Sequence, residues 1–358
     1  MNAAPPQMSH DGSAPVISVV VCTHNGEGTI RDTLRALTSQ NFAGEMEIIV
    51  VDDGSTDLTS EVVRKFPVRL ISSPTNVGLS AARNLGIEAS LAPLVAFTDD
   101  DCIPPPGWVA NLVTEWAKLN GDIQALGGTV QSHATDTFNR RFNQFHHTLA
   151  PASLRLSGAG FLLRLWLYLR NEGIVISSDS PQPVFVLVGA NMSFRRDALK
   201  EIGGFDVRRR FGGDEIPVCA AIQQRWGQES VWCSPSIVMH HNFDPKLRDT
   251  FRRAYAYGRG SGRDFAEQGG IPSVGPIGLL VMAAGAGAIC FKFLGIRSWW
   301  LLLACAMLAP YMIAARPTSS SSKARWTEKP LFRLVIALEE ISGIIGFVGG
   351  WLRSKETK

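Results

Sequence analysis

Three adjacent aspartates, Asp99, Asp100 and Asp101, follow an apolar run at 94–98 in this 358-residue chain. Neighbouring carboxylates repel one another, so a positive partner is needed to hold them side by side. In proteins Mg²⁺ and Mn²⁺ take oxygen ligands, commonly one or two carboxylates together with substrate phosphates. Because side chains alternate along an extended segment, Asp99 and Asp101 can project together while Asp100 points away. The spacing predicts a divalent-metal site that bridges a diphosphate; the alternative is a solvated turn that caps the following helix.

A second pair of acids, Asp52 and Asp53, ends another apolar run within the stretch "VVDDGSTD". A carboxylate in this position can accept hydrogen bonds from a base N–H or a ribose hydroxyl, as acids do in dinucleotide-binding folds. Asp53, Ser55 or Asp57 could instead cap the next helix. The two roles are compatible, because a cap needs only one of these side chains.

Apolar, β-branched segments alternate with amphipathic ones through the first hundred residues. The pattern predicts buried strands at 16–23, 47–57 (with the acids at its end), 68–73 and 94–98, and helices at 29–40, 58–66 and 79–90. This alternation with short loops predicts right-handed β-α-β units and a mostly parallel sheet. Ligands of such sheets bind outside the carboxyl ends of the strands, so both acid pairs are expected to share one site.

After residue 185 the sequence again shows segments that are typical of strands and helices. Residues 185–206 predict a strand, a turn of small residues and a short helix. Residues 211–227 predict a helix with Asp214 and Glu215 at its start, where carboxylates also suit the helix dipole. A final strand is predicted at 230–241.

The overall composition excludes several classes of protein. A net charge of +3 with 19% charged residues does not suggest a nucleic-acid-binding protein. The six cysteines show no CxxC pair or regular spacing, which argues against a disulfide framework or a zinc site and fits a reducing compartment. Residues 1–15 lack a basic and an apolar region, so they predict a disordered leader rather than a signal peptide, with a cytoplasmic N-terminal part.

The C-terminal part of the sequence is strongly apolar. Residues 274–294 and 299–315 each approach the ~20 apolar residues that cross a bilayer. Residues 331–352 carry two acids in their middle, which favours an interfacial or re-entrant helix over a third span. The basic stretch 316–333 is expected on the cytoplasmic side under the positive-inside rule. Together these features predict a multi-pass inner- or plasma-membrane protein with membrane lipid as a partner and a cytoplasmic catalytic domain.

The predicted organisation has five parts. They are a disordered leader (1–15), a catalytic domain (16–245), a basic juxtamembrane segment (246–273), two transmembrane helices (274–315), and a basic loop with an interfacial or third membrane helix (316–358). The juxtamembrane segment contains "FRRAYAYGRGSGR", which suits anionic headgroups or an acceptor phosphate; an ordinary basic flank of a membrane helix is the alternative.

Five motifs in order, "VSVVVCTHNGEGTIRDTLRALTSQ", "EIIVVDDGSTD", "NVGLSAARNLGIEAS", "FTDDDCIPPPGW" and "VGANMSFRRDALKEIGGFD", carry a resemblance over about residues 16–241. Together they resemble the family 2 glycosyltransferases of the GT-A fold. The resemblance implies an α/β fold with a mostly parallel sheet flanked by helices. It also implies an inverting transferase that uses a nucleotide-diphosphate sugar and Mg²⁺ or Mn²⁺.

The resemblance also implies roles for individual residues. The residues implied to bind the donor are Thr23, Asn25, Glu27, Asp52, Asp53, Arg83, Asp99, Asp100, Gly189, Ala190 and Asn191. Of these, Asp53 would hold the base, Arg83 would lie near the diphosphate, and 189–191 would shape the acceptor side of the sugar pocket. Asp99 and Asp101 occupy the D-x-D positions of the metal site.

The family also has an acidic pair, usually Glu-Asp, whose second member takes the acceptor proton. This sequence has the reverse order, Asp214-Glu215. By position the base is Glu215, and a slip of one residue in the loop would transfer the role to Asp214. One of His240 and His241 could complete the metal shell, as a histidine does in related folds, or both could be structural.

These features predict a membrane-anchored glycosyltransferase that acts on a hydroxyl-bearing or lipid-linked acceptor in the synthesis of a cell-surface glycan or glycolipid. One alternative is a sugar-phosphate nucleotidyltransferase, although the loop after the first strand, "THNGEG", has no basic residue before Arg31. A second alternative is a non-catalytic membrane scaffold that retains the fold. The acids at 99, 101, 214 and 215 argue against a scaffold.

Overall fold

The computed structural model describes residues 14–268 and 328–356, apart from 210–211 and several positions between 158 and 178. The chain divides into two compact units. The first contains the described residues of 1–133, 149–154 and 175–243, and the second those of 134–148, 155–174 and 244–358. Every residue predicted for the site lies in the first unit.

The first unit is built around a mixed sheet. Its strands are Ile17–Thr23 (β1), Met46–Asp52 (β2), Arg69–Ser72 (β3), Leu94–Asp99 (β4), Cys102–Ile103 (β5), Ala125–Ser132 (β6), Ala152–Ser153 (β7), Gln182–Val186 (β8), Met192–Arg195 (β9) and Val231–His241 (β10). Among the described residues the strand order is β3-β2-β1-β4-β9-β6-β10-β8-β7, and β5 pairs with β10.

Helices cover both faces of this sheet. The helices of the first unit are Ile30–Thr38 (α1), Thr59–Val63 (α2), Leu79–Ala89 (α3) and Trp108–Lys118 (α4), and later Arg196–Glu201 (α6) and Glu215–Trp226 (α7). Phe138–His146 (α5) belongs to the second unit together with Leu247–Gln268 (α8) and Lys329–Glu356 (α9).

Side chains of β1 alternate between the two faces, as the pleat requires. Val19 and Val21 belong to the apolar cluster that also contains Leu34 of α1, whereas Val20 belongs to the opposite cluster with Ala82 of α3. A continuous β-branched run therefore forms a strand that is buried on both sides, which is why the first four strands could be predicted from their composition.

The sheet is mixed, so the prediction of a mostly parallel sheet needs correction. Strands β1 to β4 pair in parallel, but β9 lies between β4 and β6 and is antiparallel to both. The chain continues from β8 into β9 in the same direction through 187–191, with no crossover helix between them, so both strands run against β6 and β10. β10 then pairs in parallel with β6 and antiparallel with β8 and β5.

In the second unit, α8 and α9 approach through glycines. A Cβ on Gly258 would lie 2.0 Å from the Gly343 oxygen, and a Cβ on Gly346 would lie 2.1 Å from the Tyr255 oxygen. Contacts advance along both helices in the same direction, so the two helices run parallel. Most of the predicted juxtamembrane segment (246–273) thus forms α8 and packs on α9.

The predicted multi-pass membrane location is wrong for the chain as described: no helix within 14–268 or 328–356 is both long and apolar enough to cross a bilayer. The two predicted spans, 274–294 and 299–315, lie outside the described residues. Residues 331–352 belong to α9, where Glu339 lies 3.4 Å from His146 of α5. The alternative of a third span there is therefore also set aside.

Candidate active site

The short strand β5, which follows the three aspartates at 99–101, pairs with the end of β10. This pairing brings the aspartates close to His240 and His241. His241 is the register partner of Cys102, and its Nε2 lies 3.2 Å from Oδ1 of Asp101. One ligand atom each from Asp99, Asp101, Cys102 and His241 lie within 4.8 Å of one another. Two carboxylates and an imidazole are a donor set that Mn²⁺ and Mg²⁺ accept, so the residues fit the predicted metal.

The two histidines at the end of β10 have different surroundings. The His241 ring is buried and stacks on Phe243 with 4.3 Å between ring centroids. His240 is half-buried, and its ring centroid lies 6.1 Å from that of His133. Burial and the neighbouring His133 lower the pKa of His240. The structure therefore brings His241, and not His240, into the group with the aspartates.

Arg83 connects the metal-side carboxylates to the acidic pair. Its guanidinium lies 2.5 Å from Asp214 and 3.4 Å from Asp99, and it also donates to the Gly189 carbonyl at 3.3 Å. Only 3% of Arg83 is exposed, and it is flanked by the rings of Phe97 and Phe205. Burial opposes its charge, but the two carboxylates outweigh burial and raise the pKa of Arg83 above its ordinary value.

Asp214 and Glu215, which begin α7, differ in accessibility. Gly212 and Gly213, with φ of 69° and 71°, turn the chain into the helix in a conformation that favours glycine. Asp214 is 1% exposed and ion-paired with Arg83, whereas Glu215 is partly exposed. Burial and the neighbouring charge of Asp214 raise the pKa of Glu215 to about 7. Glu215 is thus the member of the pair that is accessible to solvent.

The first loop is tied to its neighbours through residues that were predicted to bind the donor. Thr23 is buried and donates its hydroxyl to the Asp100 carboxylate. Asn25, with φ of 56°, accepts from the Thr56 amide at 2.8 Å, and Glu27 accepts from the Leu58 amide at 3.0 Å. Thr23 thus ties the end of β1 to the loop after β4, and Asn25 and Glu27 hold the loop after β1 against the loop after β2. Burial and the charge of Asp101 raise the pKa of Asp100 to about 7.

The acids after β2 also organise the backbone around them. Asp53 accepts from the amides of Val77 and Gly78 at 2.6 and 2.9 Å, and Asp52 accepts from the Ser55 amide at 2.9 Å. Asp57, rather than Asp53, holds the start of α2, since its carboxylate accepts from the Thr59 amide at 3.0 Å. A carboxylate oxygen has two lone pairs, so Asp53 retains acceptor capacity for a ligand.

The turn before β9, residues 189–191, was predicted to shape the sugar pocket, but two of its three residues are buried. Asn191 is 1% exposed: its Oδ1 accepts from the Trp108 indole at 2.9 Å, and its Nδ2 donates to the carbonyl oxygens of Thr129 and Ile237. Ala190 is buried as well, whereas Gly189 faces Arg83, 3.0 Å from the position of an added Cβ. Asn191 therefore joins three elements beneath the site, and Gly189 is the member of the turn nearest to its charged residues.

Cys102 is the member of this site that sequence reasoning missed. A search for CxxC pairs or regular cysteine spacing does not detect it, because its partners are Asp101 beside it and His241 on another strand. The available signal was adjacency to the aspartates in "DDDC". That signal becomes informative only when β5 is known to pair with β10.

Comparisons with known proteins show the family to which this chain belongs. A sequence profile described as "Glycosyl transferase family 2" matches residues 18–203, more than half of the chain. The glucosyl-dolichyl phosphate glucuronosyltransferase of Haloferax volcanii is 28% identical over 240 residues, covering 64% of this chain and 70% of that protein. The glycosyltransferase AglE of the same organism is 28% identical over 192 residues, covering 51% of this chain and 61% of that protein.

The fold is similar to that of a solved structure. The mannosyltransferase PcManGT from Pyrobaculum calidifontis, in complex with GDP-Man and Mn²⁺, superposes with a TM-score of 0.56 at 19% identity. The superposition covers 95% of this chain and 88% of that chain. At this identity the similarity concerns the fold, a mixed α/β sheet with flanking helices.

Proposed function

The chain belongs to glycosyl transferase family 2, and from this premise we propose that it transfers a sugar from a nucleotide-diphosphate donor to an acceptor hydroxyl. The reaction is a single displacement with inversion at the anomeric carbon. The observation that carries the proposal is that Arg83 contacts both Asp99 and Asp214. Arg83 therefore connects two groups of acids. One group is suited to hold a divalent cation at the donor diphosphate, and the other is suited to activate the acceptor.

The donor end of the site is assigned to residues of the first loops. Asp53 and Asp52, which follow β2, would accept hydrogen bonds from the base or the ribose. Thr23, Asn25 and Glu27 would line the nucleotide side, since they tie the loop after β1 to the loops after β4 and β2. Asp99, Asp101 and His241 would hold Mg²⁺ or Mn²⁺, which when bound offsets negative charge on the departing diphosphate.

Glu215 is assigned as the general base. The Asp214 carboxylate is buried and forms an ion pair with the Arg83 guanidinium at 2.5 Å, so it is poorly placed to contact an acceptor hydroxyl. Glu215 is accessible, and a pKa raised to about 7 makes it a stronger proton acceptor than an ordinary glutamate at neutral pH. Its carboxylate takes the hydroxyl proton at about 2.6–3.2 Å as the acceptor oxygen attacks the face of the sugar opposite the diphosphate.

Arg83 is a positioning residue in this scheme. Its guanidinium pairs with the buried Asp214 carboxylate and holds it in place, and Asp214 directly precedes Glu215 at the start of α7. For the acceptor, we propose a hydroxyl on a glycan or a lipid-linked sugar, since one relative is named for action on glucosyl-dolichyl phosphate.

The donor assignment is tested by thermal shift on the full chain with a panel of nucleotide sugars, with and without Mn²⁺. We expect at least one donor to raise the melting temperature only when Mn²⁺ is present, and Asp101→Ala to abolish that shift. Asp122→Ala, which removes an exposed aspartate outside the site, should retain it. Equal shifts in the two variants would contradict the assignment.

Product analysis separates the alternatives. The transferase should release a nucleoside diphosphate from its donor when an acceptor is added. A sugar-phosphate nucleotidyltransferase would instead release pyrophosphate from a nucleoside triphosphate, and a scaffold would release neither product.

A further inference from the structure

The candidate metal site contains a sulfur. Cys102 is fully buried, and its Sγ lies 4.0 Å from Oδ1 of Asp101. Its register partner across the antiparallel pair is His241, and side chains of directly paired residues stand on the same face of a sheet. The thiol and the imidazole therefore face the same point, with the carboxylates of Asp99 and Asp101 beside them.

This arrangement is not a general property of the buried cysteines. Cys219 and Cys233 are also buried, as cysteines commonly are, and Cys22 is partly buried. Within the part of the chain that the structure describes, none of these three belongs to a group of candidate metal ligands. Of these four cysteines, only Cys102 has a sulfur that lies within 4.8 Å of ligand atoms from two carboxylates and an imidazole.

The donor set distinguishes one kind of cation from another. Carboxylates suit Mg²⁺ and Mn²⁺, imidazole suits Zn²⁺ and other transition metals, and thiolate selects softer ions. We propose that Cys102 is a further ligand of the divalent-cation site, so that the site binds thiophilic ions such as Co²⁺, Zn²⁺ and Cd²⁺ through sulfur. The inference rests on the proposed function, because it concerns the same cation site at Asp99 and Asp101.

Ligation by Cys102 involves no change of oxidation state. The S–H bond breaks, the proton passes to solvent, and the sulfur electron pair forms the metal–sulfur bond. An ion that gains this fourth protein ligand binds more tightly than one held by oxygen and nitrogen alone. Zn²⁺ and Cd²⁺ should therefore displace Mn²⁺, whereas Mg²⁺ should gain nothing from the sulfur.

The test is a titration of the reduced full chain with Co²⁺, followed by near-ultraviolet absorption. A cobalt–thiolate bond gives a charge-transfer band in this region that oxygen and nitrogen ligands do not give. We expect the wild-type protein to develop the band with one equivalent of Co²⁺. Cys102→Ser should lose it and bind Co²⁺ at least about tenfold more weakly, with unchanged affinity for Mg²⁺.

Cys233→Ser is the matched control, because Cys233 is buried on the same strand as His241 but lies outside the group. It should keep the band, as should Cys219→Ser. Cobalt bound at Asp101 without the band in the wild-type protein would overturn the inference and leave the proposed function standing. Cobalt binding that is unaffected by Asp101→Asn would count against the metal site itself, and hence against both. The wild-type spectrum decides the matter even if Cys102→Ser does not fold, and Cys102→Ala offers a second variant.

Discussion

At the scale of single residues, the acidic pair shows how structure assigns roles that spacing leaves open. The sequence places two acids at a helix start and allows either to be the base. The structure pairs Asp214 with Arg83 and leaves Glu215 accessible. No pattern in the sequence predicts that pairing, because Arg83 and Asp214 are 131 positions apart.

The pH dependence of kcat/KM reports on Glu215. A base must be ionised to accept a proton, so a pKa of about 7 predicts that activity falls as the pH drops through about 7. Asp214→Asn removes the neighbouring negative charge and should move this acidic limb to lower pH. A wild-type limb near the ordinary glutamate value of about 4.3 would show that Glu215 is not the titrating base.

At the scale of elements, α3 carries Arg83 to the point where β4, α7 and the turn before β9 meet. The helix itself was predicted within the alternation of apolar and amphipathic segments, and its close packing on the sheet follows from Gly86, where an added Cβ would lie 2.4 Å from Val20. The strands β1 to β4 were predicted for the same kind of reason, since a buried parallel strand has a continuous apolar composition. The antiparallel β9 and the two-residue β5 were not predicted, because long-range pairing decides them.

Arg83→Met tests the ionic connection between these elements. The substitution leaves the Asp214 carboxylate buried without its partner, so we expect a loss of about 3–5 kcal/mol in the free energy of unfolding. Arg225→Ala removes an exposed ion pair with Glu201 and should cost less than about 1 kcal/mol. Chemical denaturation of both variants gives the comparison; similar small losses would mean that Arg83 does not support the fold.

At the scale of the whole molecule, the sequence indicated the family and the order of most elements in residues 16–241. The family profile and the superposition confirm a family 2 glycosyltransferase with a GT-A-type sheet. The predicted multi-pass membrane arrangement of the C-terminal part, in contrast, is wrong for the residues that the structure describes. The structure places 331–352 in α9, which packs against α8 through glycines that permit backbone contact and is not a membrane-spanning helix, while the interfacial location of this segment stays a prediction. Hydropathy registers how apolar a segment is and not what covers it.

The α8–α9 contact gives a stability prediction. Gly346→Ala places a methyl group 2.1 Å from the Tyr255 backbone oxygen, so the helices must separate, and we expect a loss of about 1–3 kcal/mol. Gly349→Ala, three residues further along α9, meets nothing closer than 3.7 Å and should be neutral or slightly stabilising. Thermal unfolding of the two variants checks the contact; equal melting temperatures would contradict it.

The most direct test of the central claim is the rate of nucleoside diphosphate release when donor, acceptor and Mn²⁺ are present. We expect Glu215→Gln to lower kcat by about 10²–10⁴-fold while the donor-induced thermal shift stays at its wild-type value. Turnover by Glu215→Gln at the wild-type rate would contradict it, because a carboxamide cannot accept the acceptor's proton.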